Sequence, residues 1–125
     1  MMKSKKILGM MMALALVICS NGMTASATTI TTDVYSGVSA YTYYVRKSED
    51  SSSVLGKLRL TNSSTEAVAT FTASQKVSAI SYASYTNSGF VSSGSYKSLS
   101  SGTSVIATKR GSGITRCYGY CSVKY

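Results

Sequence analysis

A strict alternation of apolar and polar residues in the middle of the chain restricts its fold more than any other feature. Two consecutive runs show this period of two, with apolar sets at Val54, Gly56, Leu58 and Leu60, and at Ala67, Ala69, Phe71 and Ala73. The polar segment Asn62–Thr65 separates the runs. Alternation bounded by turn residues is typical of half-buried β-strands. The sequence therefore predicts a β-hairpin with a loop of four residues.

The same pattern predicts further strands on both sides of this hairpin. Their ranges are Val34–Arg46, Val77–Thr86, Phe90–Leu99, Ser104–Lys109 and Ile114–Tyr125. Glycines interrupt Phe90–Leu99, which favours an edge position because glycine weakens a strand interior. Residues 28–33 are interpreted either as a loose entry segment or as a short edge strand.

About seven strands with short turns and no helical pattern between them favour an antiparallel β-sandwich over a parallel sheet. We expect a single immunoglobulin-like Greek-key domain over residues 34–125. A small barrel is the alternative, because pattern alone does not separate open sheets from closed ones. The largest apolar residues on the alternating faces are the predicted core: Leu58, Leu60, Phe71 and Ile80.

The first 27 residues have the order of a secretory signal peptide. Three lysines within the first six residues precede Ile7–Ile18, an apolar run of 12 residues, and a polar stretch ends at Ala25–Ala27. A membrane-spanning helix needs about 20 apolar residues. We therefore expect export, cleavage after Ala27, and no transmembrane segment in the mature chain.

Lipidation is the alternative fate of this N-terminal segment. Leu16–Cys19 resembles the site at which bacterial lipoproteins are cut and lipidated on cysteine. Ile18 is bulky, whereas a small residue is expected directly before that cysteine. Both alternatives predict a protein that is secreted or associated with the cell surface.

The mature chain is cationic. Cleavage after Ala27 leaves 98 residues with ten basic and four acidic side chains, a net charge of +6. A positive surface attracts polyanions. Because the chain is expected outside the cell, we predict anionic cell-wall polymer or another protein as its partner, and not nucleic acid. The candidate basic contacts are Lys57, Arg59, Lys109 and Arg110.

The absence of histidine from all 125 residues removes the usual general base and the commonest metal ligand. The four carboxylates are Asp33, Glu49, Asp50 and Glu66. Glu49 and Asp50 are adjacent in a serine-rich segment that is typical of a solvated turn. The sequence thus predicts no enzyme, no metal site and no cofactor.

Ten tyrosines form the remaining candidate surface. Tyr41 and Tyr43 share one strand face, and so do Tyr118 and Tyr120. Rows of tyrosine on a sheet can bind sugar rings or partner proteins, since the ring is apolar and its tip is polar. The alternative is that these rings pack within the sandwich or over its faces.

Cys117 and Cys121 allow two interpretations. On a continuous strand their Cα atoms lie about 13 Å apart, whereas a disulfide needs about 4.4–6.8 Å. A disulfide therefore requires a tight turn at Gly119. The alternation of residues 116–125 instead favours a continuous strand with two reduced, buried cysteines.

These features predict a small, exported, non-catalytic binding or structural module of the cell envelope, with a layout typical of secreted proteins of Gram-positive bacteria. In size, export signal and composition, the chain distantly resembles the lactococcin-type secreted bacteriocins, although it has none of the tryptophans expected in that family. The resemblance implies a small β-sandwich. It also makes a secreted antagonist of neighbouring cells the alternative function.

Overall fold

The computed structural model describes residues 28–47 and 53–125, which form ten β-strands and no helix. The strands are β1 (Thr29–Thr31), β2 (Tyr35–Gly37), β3 (Ala40–Arg46), β4 (Val54–Asn62), β5 (Glu66–Ala73), β6 (Val77–Ser84), β7 (Val91–Ser92), β8 (Lys97–Leu99), β9 (Ser104–Arg110) and β10 (Cys117–Lys124). The signal peptide with Cys19 and the turn with Glu49 and Asp50 lie outside these residues. Within them, no helix is long and apolar enough to cross a membrane.

The strands form two antiparallel sheets that pack as a β-sandwich. In the six-stranded sheet, β10 and β6 pair along their lengths. Strands β1 and β2 pair with successive parts of the other edge of β10, while β8 and β7 pair with successive parts of the other edge of β6. The second sheet has the order β3–β4–β5–β9. Each sheet is thus four strands wide, and the six-stranded sheet has interrupted edges.

The predicted hairpin is confirmed as β4 and β5, but three residues, 63–65, join the strands rather than four, because Asn62 still belongs to β4. Leu58, Leu60 and Phe71 are fully buried between the sheets, where each stabilises the fold by about 1.5–3 kcal/mol. Ile80 is also buried, but on the outer face of the six-stranded sheet. Its neighbour Ser81 faces the core, where its hydroxyl donates to the Val105 carbonyl at 3.3 Å.

The predicted strand Val34–Arg46 is wrong in one respect, because the structure divides it between the two sheets. Strand β2 pairs with β10, and β3 pairs with β4. Ser39, with a φ of 70°, makes the turn between them, and the Asn62 side chain accepts its N–H at 2.9 Å. The inward-facing residues are odd-numbered on both sides of this turn, so a period of two does not reveal it.

A β-bulge places Leu55 in the core. Val45 pairs with Gly56 and Arg46 with Val54, which leaves Leu55 as an extra residue on β4. An extra residue shifts the alternation that follows it. Leu55 and Gly56 are consequently both buried, whereas strict alternation places Leu55 on the outer face.

Three further predictions can be compared with the observed strands. Residues 28–33 contain the short edge strand β1, the second of the two alternatives. Phe90–Leu99 does lie at an edge, as the separate strands β7 and β8. The last strand begins at Cys117 rather than Ile114, whose N–H donates to the Ser64 carbonyl at 3.1 Å and not to a neighbouring strand of the six-stranded sheet.

Candidate functional site

The outer face of the four-stranded sheet presents a regular array of mostly polar side chains. Since side chains alternate between the faces of a sheet, the strand register defines the rows of this surface. Across β3, β4, β5 and β9 the rows are Ala40, Thr61, Val68 and Thr108; Thr42, Arg59, Thr70 and Ile106; and Tyr44, Lys57, Thr72 and Ser104. We refer to these positions as the cationic face.

Lys57 and Arg59 give this face its charge. Both side chains are exposed, and their Cα atoms lie about 7 Å apart along β4. The cationic face contains no carboxylate. Glu66, the next outward residue on β5, forms an ion pair with Arg110, with 2.6 Å between the Glu66 Oε2 and Arg110 Nη1 atoms. The positive charge of Lys57 and Arg59 is therefore not neutralised by any described side chain on the face.

Hydroxyl groups surround these two cations. They belong to Thr42, Thr61, Thr70, Thr72, Thr108, Ser104 and Tyr44. The Thr72 and Ser104 hydroxyls are hydrogen-bonded to each other at 2.8 Å. A sheet face with two cations and many hydroxyls can bind an anionic chain that also bears hydroxyl groups.

The other two predicted basic contacts, Lys109 and Arg110, do not join Lys57 and Arg59. The Lys109 ammonium donates to the Gly89 carbonyl and lies 5.1 Å from the centre of the Tyr85 ring. Arg110 is bound to Glu66 at one end of the sheet. Both side chains therefore already have protein partners.

Sequence reasoning missed Arg46 as a member of this site. Arg46 is exposed at the end of β3 and follows Tyr44 on the same side of that strand. The sequence signal for Arg46 was its spacing of two residues from Tyr44, which places both side chains on one face of a strand. In the structure Tyr44 is 63% exposed. Arg46 extends the positive charge of the cationic face beyond the row that contains Lys57.

Tyr41 and Tyr43 lie on the inner side of β3, at the open margin of the sandwich. The Tyr43 ring is stacked between Tyr41, at 4.5 Å, and Tyr35 from the opposite sheet, at 3.8 Å. Burial, followed by the nearby Asp33 charge, raises the pKa of Tyr35. Burial and the Tyr41 hydroxyl raise the pKa of Tyr43. Tyr35 was not predicted, since only the tertiary fold brings it to this stack.

Tyr118 and Tyr120 lie on the outer face of the six-stranded sheet, on the far side of the sandwich from Lys57. Tyr120 stacks on Tyr82 at 4.3 Å and meets the edge of Phe90 at 5.1 Å. Burial is the main cause of the raised pKa of Tyr82. The stacked faces of Tyr120 and Tyr82 are therefore not open to a ligand. This packing over the sheet face is the alternative role that the sequence analysis gave for the tyrosines.

The same outer face includes Tyr96, whose hydroxyl lies 2.7 Å from the Ser122 hydroxyl. The Lys124 ammonium lies 4.0 Å from the centre of the Tyr96 ring. A cation at that distance is attracted by the electron-rich ring face. This surface therefore differs from the cationic face, because the charge of Lys124 already lies against an aromatic ring.

Cys117 and Cys121 are free thiols on the continuous strand β10. Both face the core and are fully buried. Burial raises the pKa of Cys117 to about 11 and that of Cys121 to about 12. A thiol becomes a nucleophile or metal ligand only as a thiolate, so these cysteines behave as small core side chains.

The two described carboxylates belong to different parts of the fold. Asp33 lies between β1 and β2, and Glu66 begins β5. Within residues 28–47 and 53–125, no three histidine, cysteine or acidic side chains are grouped so that they could bind a metal ion.

Comparison of this chain with protein-family models, with curated proteins and with solved structures gave no significant match.

Proposed function

We propose that this protein is an exported, non-catalytic module that binds an anionic polymer of the bacterial cell wall through the cationic face. The observation that carries this proposal is the pair Lys57 and Arg59, exposed side by side on a hydroxyl-bearing sheet face without an acidic partner among the described residues. A guanidinium can bind a phosphate or carboxylate with two hydrogen bonds, whereas an ammonium acts as a point charge.

The geometry supports a linear ligand. Lys57 and Arg59 alternate with inward-facing residues along β4, so their charges follow the strand at about 7 Å intervals. The neighbouring threonines offer hydroxyl donors and acceptors for the uncharged parts of the chain. Exposed charges of this kind are screened within about 8–10 Å at physiological salt. We therefore expect binding to weaken steeply as salt is added.

The other parts of the proposal rest on sequence. Export with cleavage after Ala27 follows from the N-terminal pattern, and mass spectrometry of the secreted protein tests it by locating Thr28 as the first residue. The non-catalytic assignment rests on the absence of histidine from the chain. The immunoglobulin-like Greek-key topology remains a proposal within the observed pair of antiparallel sheets.

A binding experiment with matched variants tests the cationic face. Purified cell walls are titrated with wild-type protein, with Lys57→Gln/Arg59→Gln, and with Lys76→Gln/Lys97→Gln. Both double variants lose two charges, but Lys76 lies in the β5–β6 turn and Lys97 in the other sheet. We expect roughly tenfold weaker binding for the first variant only, from about 0.7 kcal/mol per exposed charge contact.

Three outcomes contradict the proposal. Equal losses in both double variants indicate attraction by net charge rather than by a defined face. Retention on walls in roughly 1 M salt, where the screening length is about 3 Å, indicates another mode of attachment. Replacing Cys19 with alanine then tests lipidation. Growth inhibition when protein is spotted on lawns of related bacteria favours the secreted antagonist.

A further inference from the structure

Strand β3 carries a row of backbone groups that have no partner among the described residues. The Asn62 N–H donates to the Ser39 carbonyl at 3.3 Å. In an antiparallel pair, successive residues alternate between facing the neighbouring strand and facing away from it. The odd-numbered residues of β3 therefore bond to β4. The N–H and C=O groups of the even-numbered residues point outward, at Ala40, Thr42, Tyr44 and Arg46.

An open edge of this kind is a template for another strand. The six-stranded sheet presents only short edge strands of two or three residues. The four-stranded sheet has long edges on both sides, because β3 and β9 each contain seven residues. Among the described strands, these two are thus the candidates for pairing with an added strand.

Apolar exposure distinguishes β3 from β9. Six large apolar side chains are exposed in the described structure, and three lie on β3 or in the turn before it: Val38, Tyr41 and Tyr44. Strand β9 has one of them, Ile106, and ends in Lys109 and Arg110. Charged residues protect an edge strand from pairing, and exposed aromatic residues favour pairing.

We propose that β3 pairs antiparallel with β3 of a second copy of this chain, so that two four-stranded sheets become one sheet of eight strands. The outward-facing groups define the register that uses the whole strand. Tyr43 lies on the two-fold axis, Thr42 faces Tyr44 of the second copy, and Ala40 faces Arg46. This register forms about eight hydrogen bonds between the copies, two for each bonded pair of residues.

The side chains fit a second copy in this register. On the inner side, Tyr43 faces Tyr43 of the second copy, and Tyr41 faces Val45. Aromatic pairs and pairs of an aromatic with a β-branched residue stabilise neighbouring strands. Arg46 faces a small uncharged residue, so no like charges stand opposite each other. An interface of one strand pair is small beside the roughly 1,200 Å² of a stable complex, so we expect a weak, concentration-dependent dimer.

The dimer has a consequence that rests on the proposed function. The two β4 strands lie three strand spacings apart, about 14 Å. Lys57 and Arg59 from both copies are then on one continuous face. Two linked sites bind a long polymer more tightly than one site does.

Sedimentation of the purified protein, expressed as the full chain, tests the pairing. Thr42→Pro removes an N–H that faces away from β4, so it removes no hydrogen bond within the molecule. One donor lost from each copy raises the dissociation constant about 25-fold, at roughly a factor of five for each hydrogen bond. Thr42→Val keeps the donor and is expected to dimerise like wild type. Thr108→Pro makes the same change on β9 and is expected to have no effect.

Each result supports or overturns the assignment. A wild-type protein that is monomeric near 1 mM overturns it, and so does a dimer that is lost in Thr108→Pro but kept in Thr42→Pro. Loss in both proline variants indicates β3-to-β9 pairing and also overturns it. Circular dichroism checks that each variant is folded. Wall binding by a protein that stays monomeric leaves the proposed function intact, so the two hypotheses fail separately.

A cross-linking experiment does not depend on the proline variant. Residues on the two-fold axis form a non-bonded pair with Cα atoms about 4.5 Å apart, within the range for a disulfide. Tyr43→Cys is expected to give a covalent dimer under mild oxidation. Wild type, with its own cysteines, is the control. Absence of this dimer from a folded Tyr43→Cys protein contradicts the proposed register.

Discussion

Replacing Gly119 with alanine tests how closely the two sheets approach each other. A Cβ at this position lies 2.5 Å from Cδ2 of Leu60 and 3.1 Å from Cβ of Ala69, both in the facing sheet, and 3.0 Å from the Tyr82 carbonyl oxygen. The shortest of these contacts is to the end of the Leu60 side chain. Since all three atoms lie within 3.1 Å of the added Cβ, Gly119 is required for close packing of the two sheets, rather than for an unusual backbone conformation.

The expected loss of stability is that of an overpacked core, about 1–3 kcal/mol. For a domain of this size each kcal/mol lowers the melting temperature by about 4–8 °C. Leu60→Val removes the atoms that the new methyl group meets, and by itself costs about 1 kcal/mol for one buried methylene. In the double variant we expect the two losses to be non-additive, with a favourable coupling of about 1 kcal/mol.

Urea unfolding followed by circular dichroism measures the free energy of unfolding of all four proteins in this cycle. Gly56→Ala is the matched control. A Cβ at Gly56 overlaps the Thr72 carbonyl oxygen and Cζ of Phe71, not Leu60, so Leu60→Val is expected not to rescue it. A neutral Gly119→Ala, or strictly additive losses with Leu60→Val, refutes this account of the sheet contact.

Two further predictions concern titratable groups. Because burial raises the pKa of Cys121 from 9.0 to about 12, its contribution to stability is complete below pH 9 and is lost as the pH rises towards 12. Unfolding free energies measured against Cys121→Ala isolate this loss from tyrosine ionisation, and an unchanged difference between pH 9 and 11 contradicts it. Glu66→Gln breaks an ion pair whose Arg110 side chain is 79% exposed, so we expect a loss of no more than about 1 kcal/mol in thermal unfolding.

Local periodicity was sufficient for the β4–β5 hairpin and for three of the four predicted core residues. Leu58, Leu60 and Phe71 are buried because every second residue of a strand faces the same side, and this spacing is readable without knowing the partner strand. The continuous strand through Cys117 and Cys121 follows from the same reasoning. Alternation reports the direction of a side chain, however, and not the sheet to which a strand belongs.

The candidate site was only partly predictable for a related reason. Lys57 and Arg59 share a face because they are two residues apart, which is a local property. Lys109 contacts Gly89 and Tyr85, and Arg110 forms an ion pair with Glu66. These contacts depend on segments that come together only in the folded chain. Charge and exposure expected from sequence do not reveal which cations already have partners.

The sequence by itself determined that this chain forms antiparallel strands with alternating faces, a cationic surface and a core with buried cysteines. Tertiary structure alone decided three things. It divided Val34–Arg46 between two sheets at Ser39, turned Leu55 into the core through a bulge, and brought Tyr35 against Tyr43. The physical reason is that side-chain direction is a property of neighbouring residues, whereas strand order and bulges depend on hydrogen bonds between distant segments.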